Sequence, residues 1–198
     1  ETIDRVIVST DDETYAAVAR EFGAEVIMRP PEISGDTAPI QASLVHVINT
    51  IEAQGEQVEI VVLMQANVPV RKPGLIDEVV TKLRNSSHDS VTTMYKANQR
   101  PEWMKVLQDG KPVPFMECNS YRRQELPKVF LFDGAVNAIR RDVLMKSAEL
   151  GGVHKFGGDD VGIIMQERIY SLDLDGENDL PMVEAALEYL AKRGGKLG

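Results

Sequence analysis

The first 28 residues alternate between short apolar runs and one helical pattern. Residues 5–9, RVIVS, and residues 24–28, AEVIM, are short and rich in β-branched residues, which predicts two strands. Between them, four apolar residues have helical spacing: Tyr15, Val18, Ala19 and Phe22. Gly23 follows, as is typical of a helix end. The order strand, helix, strand predicts parallel strands joined by a right-handed crossover, and therefore an α/β fold.

The rest of the chain repeats this alternation. Further strands are predicted at residues 59–64, 90–96, 130–141 and 169–175, and further helices at 39–53, 74–84, from 141 to about 149, and at 179–193. The strand at 59–64, EIVVLM, is apolar throughout, which predicts that it is fully buried. The pattern predicts one domain over residues 1–198, with a mostly parallel central sheet flanked by helices.

Residues 97–128 interrupt the alternation. This segment holds four prolines, an Asp-Gly pair at 109–110, the only tryptophan, Trp103, and the only cysteine, Cys118. Such a composition predicts a small β-rich insertion rather than another strand–helix unit. A single cysteine also excludes an intrachain disulfide.

Charge and hydropathy exclude several functions. The net charge is −9, whereas proteins that bind nucleic acid polymers need a basic surface. No apolar run reaches the length of a membrane span, and no basic region precedes the first apolar run as it would in a signal peptide. We therefore expect a cytoplasmic protein with neither nucleic acid nor membrane as its partner.

Residues 171–175, SLDLD, place two carboxylates two positions apart. In a strand, Asp173 and Asp175 would share one face, while Leu172 and Leu174 would share the other. Two neighbouring carboxylates repel each other unless a cation lies between them, and Mg²⁺ is commonly held by one or two carboxylates plus substrate phosphates. The alternative interpretation is a solvated strand edge that leads into a turn at Gly176.

Other polar residues follow the predicted strands directly. Arg29 follows the strand at 24–28, and Gln65 and Arg71 lie in the loop after the strand at 59–64. Ligands of open α/β sheets bind outside the carboxyl ends of the strands. We therefore expect these residues to converge with the two aspartates.

Seven segments of the chain, in their order, resemble one family: DRVIVSTDDE, EFGAEVIMRP, SGDTAPI, QANVPVR, RRQELP, DGAVNA and SLDLDGENDL. The chain resembles the acylneuraminate cytidylyltransferases, which are CMP-sialic-acid synthetase-like enzymes. The resemblance implies a nucleotide-diphospho-sugar transferase-like fold, Mg²⁺ as cofactor and a homodimer formed through residues 97–128. The implied reaction is that of CTP with a nine-carbon 2-keto sugar acid, giving the CMP-sugar and pyrophosphate.

The resemblance also assigns roles to individual residues. Asp173 and Asp175 would bind the metal and, with Arg123, would be catalytic. Arg123 would reach the site of the neighbouring subunit. Arg29 and Arg71 would bind the nucleotide. The implied substrate-binding residues are Gln65, Asn67, Gln124, Asp133 and Asn137.

The chain also departs from the family pattern. The family opens with a strand and a Gly-Ser-Lys loop, for which these residues offer no counterpart. We expect that region upstream of Glu1, unless the chain is a non-catalytic relative that binds a sugar or a nucleotide. Asn67, Asp133 and Asn137 differ from the more usual residues, which leaves the sugar acid open. A cytidylyltransferase of the 3-deoxy-octulosonate type is the other enzymatic alternative, although RRQELP argues against it.

Overall fold

The fold was analysed in a computed structural model, which describes residues 2–150 and 157–193. The strands are β1 (Ile7–Thr10), β2 (Glu25–Met28), β3 (Ile60–Leu63), β4 (Ser90–Lys96), β5 (Lys105–Gln108), β6 (Lys111–Pro114), β7 (Phe130–Arg140) and β8 (Val161–Gln166). The helices are α1 (Glu13–Glu21), α2 (Ile40–Glu52), α3 (Leu75–Arg84), α4 (Arg141–Leu150) and α5 (Leu180–Lys192).

The first strands and helix form as predicted. Asp12 caps α1, because its Oδ1 accepts hydrogen bonds from the backbone N–H groups of Thr14 (2.6 Å) and Tyr15 (3.2 Å). After α1 the chain returns, and β2 pairs with β1 in parallel, from Ile7 opposite Glu25 onward. The predicted parallel strand–helix–strand unit is therefore confirmed.

The central sheet has the strand order β3-β7-β4-β8. Strands β4 and β8 are parallel, whereas β7 lies antiparallel between β3 and β4. Three of these four strands therefore point the same way and β7 points the opposite way. The α/β class is confirmed, with a mixed sheet. The pairing of β7 with β4 shifts register between Thr92 and Met94, where β7 contains Gly134.

Both faces of the central sheet are covered by helices. On one face, α3 packs Val79 and Leu83 against Val136 of β7. On the other face, Ile139 of β7 packs against α2 and α4. A third cluster joins α5 to Val70. These clusters hold the sheet rigidly beneath the loops that follow β3 and precede α5.

Three details differ from the predictions. Residues 169–175 are not a strand, because Arg168–Tyr170 is a 3₁₀ turn and residues 171–175 have no regular secondary structure. Strand β8 was not predicted, although VGIIMQ is a β-branched run. Strand β3 is half-buried rather than fully buried, because it is at the edge of its sheet among the described residues.

Residues 97–128 contain the antiparallel hairpin of β5 and β6. Asp109 (φ 50°) and Gly110 (φ 74°) form its turn. Two successive positive φ angles are typical of tight hairpin turns, and they explain the Asp-Gly pair. The role of this segment in dimerisation remains a prediction.

No helix in the described part of the chain has both the length and the apolar character that crossing a membrane requires.

Candidate active site

The SLDLD segment is anchored by its leucines and by the loop after β3. Leu172 and Leu174 pack against the α5 cluster, while Asp173 and Asp175 are exposed. The predicted alternation of faces is therefore present without a strand. The backbone N–H of Leu174 donates to the carbonyl of Asn67 (2.7 Å), and Asn67 Nδ2 donates to Asp175 Oδ1 (2.7 Å). These two bonds fix the carboxylates beside the carboxyl end of β3.

Negative charge is concentrated around Asp173. Partial burial raises the pKa of the Asp173 carboxyl, and the negative charges of Asp175, Asp133 and Asp179 raise it further. Within residues 2–150 and 157–193, no group of three or more His, Cys, Asp or Glu side chains is arranged to hold a metal ion. The exposed carboxylates of Asp173 and Asp175 could hold a hydrated Mg²⁺ only together with water and phosphate oxygens.

The backbone of Gln65 is held in place by β7 and by Arg71. The N–H of Gln65 donates to the carbonyl of Gly134 (3.1 Å). The carbonyl of Gln65 accepts from Arg71 Nη2 (2.6 Å), and Arg71 Nε donates to the carbonyl of Ala135 (3.2 Å). Burial lowers the pKa of the Arg71 guanidinium. Arg71 thus closes the loop after β3, while the side chain of Gln65 remains exposed.

Asp133 is a buried carboxylate with donors on both oxygens. Its Oδ1 accepts from the Thr93 hydroxyl and from the backbone N–H of Ala135 (3.0 Å), and its Oδ2 accepts from Gln166 Nε2 (2.6 Å). Sequence reasoning missed Thr93 and Gln166. The available signal was their spacing. Thr93 is two residues from Val91, and Gln166 is two residues from Ile164, so each shares the face of its strand with a core residue.

Other predicted site residues are engaged outside this group. Arg29 donates from Nη2 to Asp11 Oδ1 (2.9 Å) and from Nη1 to Ser43 Oγ (3.1 Å). The guanidinium of Arg123 lies 5.9 Å from the ring centroid of Trp103.

Two more predicted residues lie in a 3₁₀ turn and in β7. Gln124 is exposed in the 3₁₀ turn Arg123–Glu125. Asn137 lies within β7, where its Oδ1 is buried without a hydrogen-bond partner. The contacts therefore connect Gln65, Asn67, Arg71 and Asp133 with the two aspartates, whereas no side-chain hydrogen bond or ion pair within residues 2–150 and 157–193 connects the other predicted residues to this group.

An α/β sheet that carries carboxylates and amides beyond the carboxyl end of its strands has the arrangement of the nucleotide-handling α/β proteins. The family model described as Cytidylyltransferase matches residues 1–111. The chain belongs to this cytidylyltransferase family.

Individual relatives share about a quarter of their aligned residues with this chain. The chain is 25% identical over 182 residues to post-translational flagellin modification protein B of Campylobacter coli, covering 90% of this chain and 75% of that protein. It is 26% identical over 176 residues to N-acylneuraminate cytidylyltransferase of Streptococcus agalactiae serotype V, covering 88% of this chain. The chain spans only 40% of the length of that second relative.

A solved structure has a similar fold. The CMP:2-keto-3-deoxy-manno-octonic acid synthetase in complex with CTP superimposes with a TM-score of 0.65 and 17% sequence identity, covering 94% of this chain and 82% of that one. The similarity confirms the predicted fold.

Proposed function

We propose that this chain transfers CMP from CTP to a sialic-acid-like, nine-carbon 2-keto sugar acid, with release of pyrophosphate. The observation that carries the proposal is the pair Asp173 and Asp175, which Asn67 holds beside Gln65 at the carboxyl end of β3. Family membership supports the use of CTP. The sugar acid is proposed from the name of the streptococcal relative and from the motifs shared with that family.

Mg²⁺ is the proposed cofactor, held by Asp173 and Asp175. When bound, it would neutralise charge on the phosphates, which is the main requirement of phosphoryl-type transfer. Partial burial and then the neighbouring carboxylates raise the pKa of Asp173, and the charge-crowding part of this effect supports the assignment, because a nearby cation would stabilise the ionised carboxylate.

The remaining residues bind and orient the two substrates. Arg29, after β2, and Arg71, after β3, are proposed to face the nucleotide, which requires Arg29 to exchange its bond with Asp11 for one to the ligand. The Gln65 amide is proposed to bind the polar groups of the sugar acid. In the reaction, the anomeric hydroxyl oxygen forms a bond to the α-phosphorus and loses its proton to water, while the bond from that phosphorus to the leaving pyrophosphate breaks.

The sugar-binding set is completed by Asn67, Gln124, Asp133 and Asn137. Asn67 and Asp133 act from beside the carboxylates. Gln124 lies next to Arg123 and would act with it. Asn137 has a buried Oδ1 without a hydrogen-bond partner among the described residues, and a substrate hydroxyl would satisfy this acceptor.

A homodimer through residues 97–128 is part of the proposal. Leu107 is 75% exposed on β5, and Phe115, which directly follows β6 in the same segment, is 61% exposed. Large exposed apolar side chains that lie close together commonly mark an interface. Arg123, stacked on Trp103, would then project from this surface toward the site of the second copy.

Pyrophosphate release by the full chain tests the proposal. With CTP and Mg²⁺, we expect turnover with a nine-carbon 2-keto sugar acid and little with other nucleoside triphosphates. Preferential turnover of 3-deoxy-octulosonate would replace the sugar assignment with the eight-carbon alternative. Binding of CTP or sugar acid without any turnover would show a non-catalytic member of the family.

A further inference from the structure

Gly134 leaves space that the side chain of Gln65 occupies. Gly134 has a φ of +67°, at the point where β7 and β4 shift register. A Cβ atom added to Gly134 would lie 2.3 Å from Gln65 Oε1, 2.7 Å from Cδ and 3.3 Å from Cγ. The amide of Gln65 thus rests directly on the backbone of Gly134, in a place that no other residue type would leave open.

The backbone of Gln65 has little freedom to compensate. Its N–H is bonded to the carbonyl of Gly134 (3.1 Å), and its carbonyl accepts from Arg71 Nη2 (2.6 Å) and from the N–H of Val68 (3.3 Å). Only the side chain can respond to a change at Gly134. Because the side chain of Gln65 is exposed and flexible, a clash there would displace the amide rather than disrupt the core.

We infer that Gly134 is a positioning residue, which fixes the direction of the Gln65 amide and thereby the recognition of the sugar acid. This inference rests on the proposed function for its substrate, but its geometry is independent of it. An added methyl group would require Gln65 Oε1 to move by about 1 Å to reach an ordinary contact distance. A misplacement of about 1 Å in a substrate complex is enough to lower the reaction rate by a large factor.

The first experiment compares Gly134→Ala with Gly55→Ala in the full chain. Gly55 also has a positive φ, +88°, but an added Cβ would meet nothing within 4 Å, so this variant has the backbone strain without the clash. We expect Gly134→Ala to raise the KM for the sugar acid by about tenfold, because one hydrogen bond from Gln65 would be lost. The KM for CTP should stay within about twofold of the wild-type value. Gly55→Ala should leave both KM values unchanged, and equal effects of the two variants would overturn the inference.

A double-mutant cycle with Gln65→Ala separates positioning from strain. If Gly134 acts through Gln65, Gly134→Ala should have no further effect on the KM for the sugar acid once Gln65 is already alanine. Independent, multiplicative effects would overturn the inference. If Gly134→Ala alone fails to fold, recovery of folding in the double variant supports the clash with Gln65. Failure of both variants to fold would show that Gly134 is required for the backbone alone.

A measurement without substrate distinguishes this inference from the proposed function. The side-chain ¹⁵N–H₂ signals of Gln65, assigned by their loss in Gln65→Ala, should shift in Gly134→Ala and remain in place in Gly55→Ala. Unshifted Gln65 signals in Gly134→Ala would overturn the inference even in an active enzyme. If the signals shift but no sugar acid is a substrate, the proposed function fails while the positioning of Gln65 by Gly134 stands.

Discussion

Asn67 donates a 2.7 Å hydrogen bond from Nδ2 to Oδ1 of Asp175, although the two residues are 108 positions apart. A second hydrogen bond, from the N–H of Leu174 to the carbonyl of Asn67, joins the same two segments. The loop after β3, which carries the proposed sugar-binding Gln65, is therefore bonded directly to the segment with the proposed metal carboxylates.

Asn67→Ala should weaken Mg²⁺ binding because it removes the group that orients Asp175. Loss of a group that orients a metal ligand commonly costs 10- to 100-fold in metal affinity or activity, and we expect a loss of about tenfold. Titration of activity with Mg²⁺ measures the change. Asn49→Ala, an exposed asparagine on α2, is the matched control. An unchanged Mg²⁺ dependence in Asn67→Ala would show that the bond does not orient the metal ligand.

Asp173→Asn and Asp175→Asn should each reduce CMP transfer by at least ~10²-fold, because both remove negative charge that holds Mg²⁺ on the phosphates. The assay is pyrophosphate release at saturating CTP. Asp142→Asn, an exposed change at the start of α4, serves as the control and should remain active. Near-wild-type rates in both site variants would end the metal assignment.

Removal of Mg²⁺ should not unfold the chain. Asp173 and Asp175 are exposed, and the segment that carries them is anchored by Leu172 and Leu174, which pack against α5. Thermal melts with and without a chelator should therefore agree within a few degrees. A loss of more than ~10 °C would indicate a structural ion, since ~2–4 °C corresponds to 1 kcal/mol at this chain length.

The sequence predicted the local parts of this fold better than the long-range parts. The pattern of residues 1–28 identified the β1-α1-β2 unit because its periodicity is local. The alternation of leucine and aspartate in 171–175 identified which side chains are exposed, although it wrongly implied a strand. The same alternation of apolar and polar residues occurs in a hydrogen-bonded strand and in an irregular segment that packs against α5. The alternation alone therefore could not distinguish these two structures.

The same difference between local and long-range features applies to the site residues. Gln65 could be found because it follows an apolar run, and the two aspartates could be found because they alternate with leucines. The spacing of Thr93 and Gln166 could place them on the core face of their strands but could not connect them with Asp133, because their meeting there depends on the insertion of antiparallel β7 beside β4 and on the pairing of β4 with β8. Strand order of this kind is set by tertiary packing and leaves no periodic signal in a single sequence.

Glu52→Gln should make the Tm vary less with pH in the acid range. Arg141 at the start of α4 bonds both carboxylate oxygens of Glu52 on α2, at 2.9 and 2.8 Å, and this lowers the pKa of Glu52. A lowered folded-state pKa stabilises the fold above the unfolded value of about 4.3, and that stabilisation is lost as the pH falls through the folded-state value. The wild type should therefore exceed Glu52→Gln in Tm at neutral pH and approach it below about pH 4.

Arg141→Met removes the same ion pair from the other side and should give the same flattening of Tm against pH. Melts at a series of pH values provide the measurement. Parallel curves for the wild type and both variants, with a constant offset, would show that the ion pair does not contribute to the pH dependence.

Leu107→Asp should convert a homodimer into a monomer. Leu107 is 75% exposed on the β5-β6 hairpin, where a second copy would cover it, and a carboxylate buried at that contact without a partner is strongly unfavourable. Phe22→Asp is the matched control, because Phe22 is 83% exposed beyond the end of α1 and outside the hairpin. Light scattering at micromolar concentration should report a dimeric wild type, a dimeric Phe22→Asp and a monomeric Leu107→Asp. Activity should be lost with the dimer if Arg123 serves the site of the second copy. A monomeric wild type, or a Leu107→Asp variant that remains dimeric, would exclude an interface through residues 97–128.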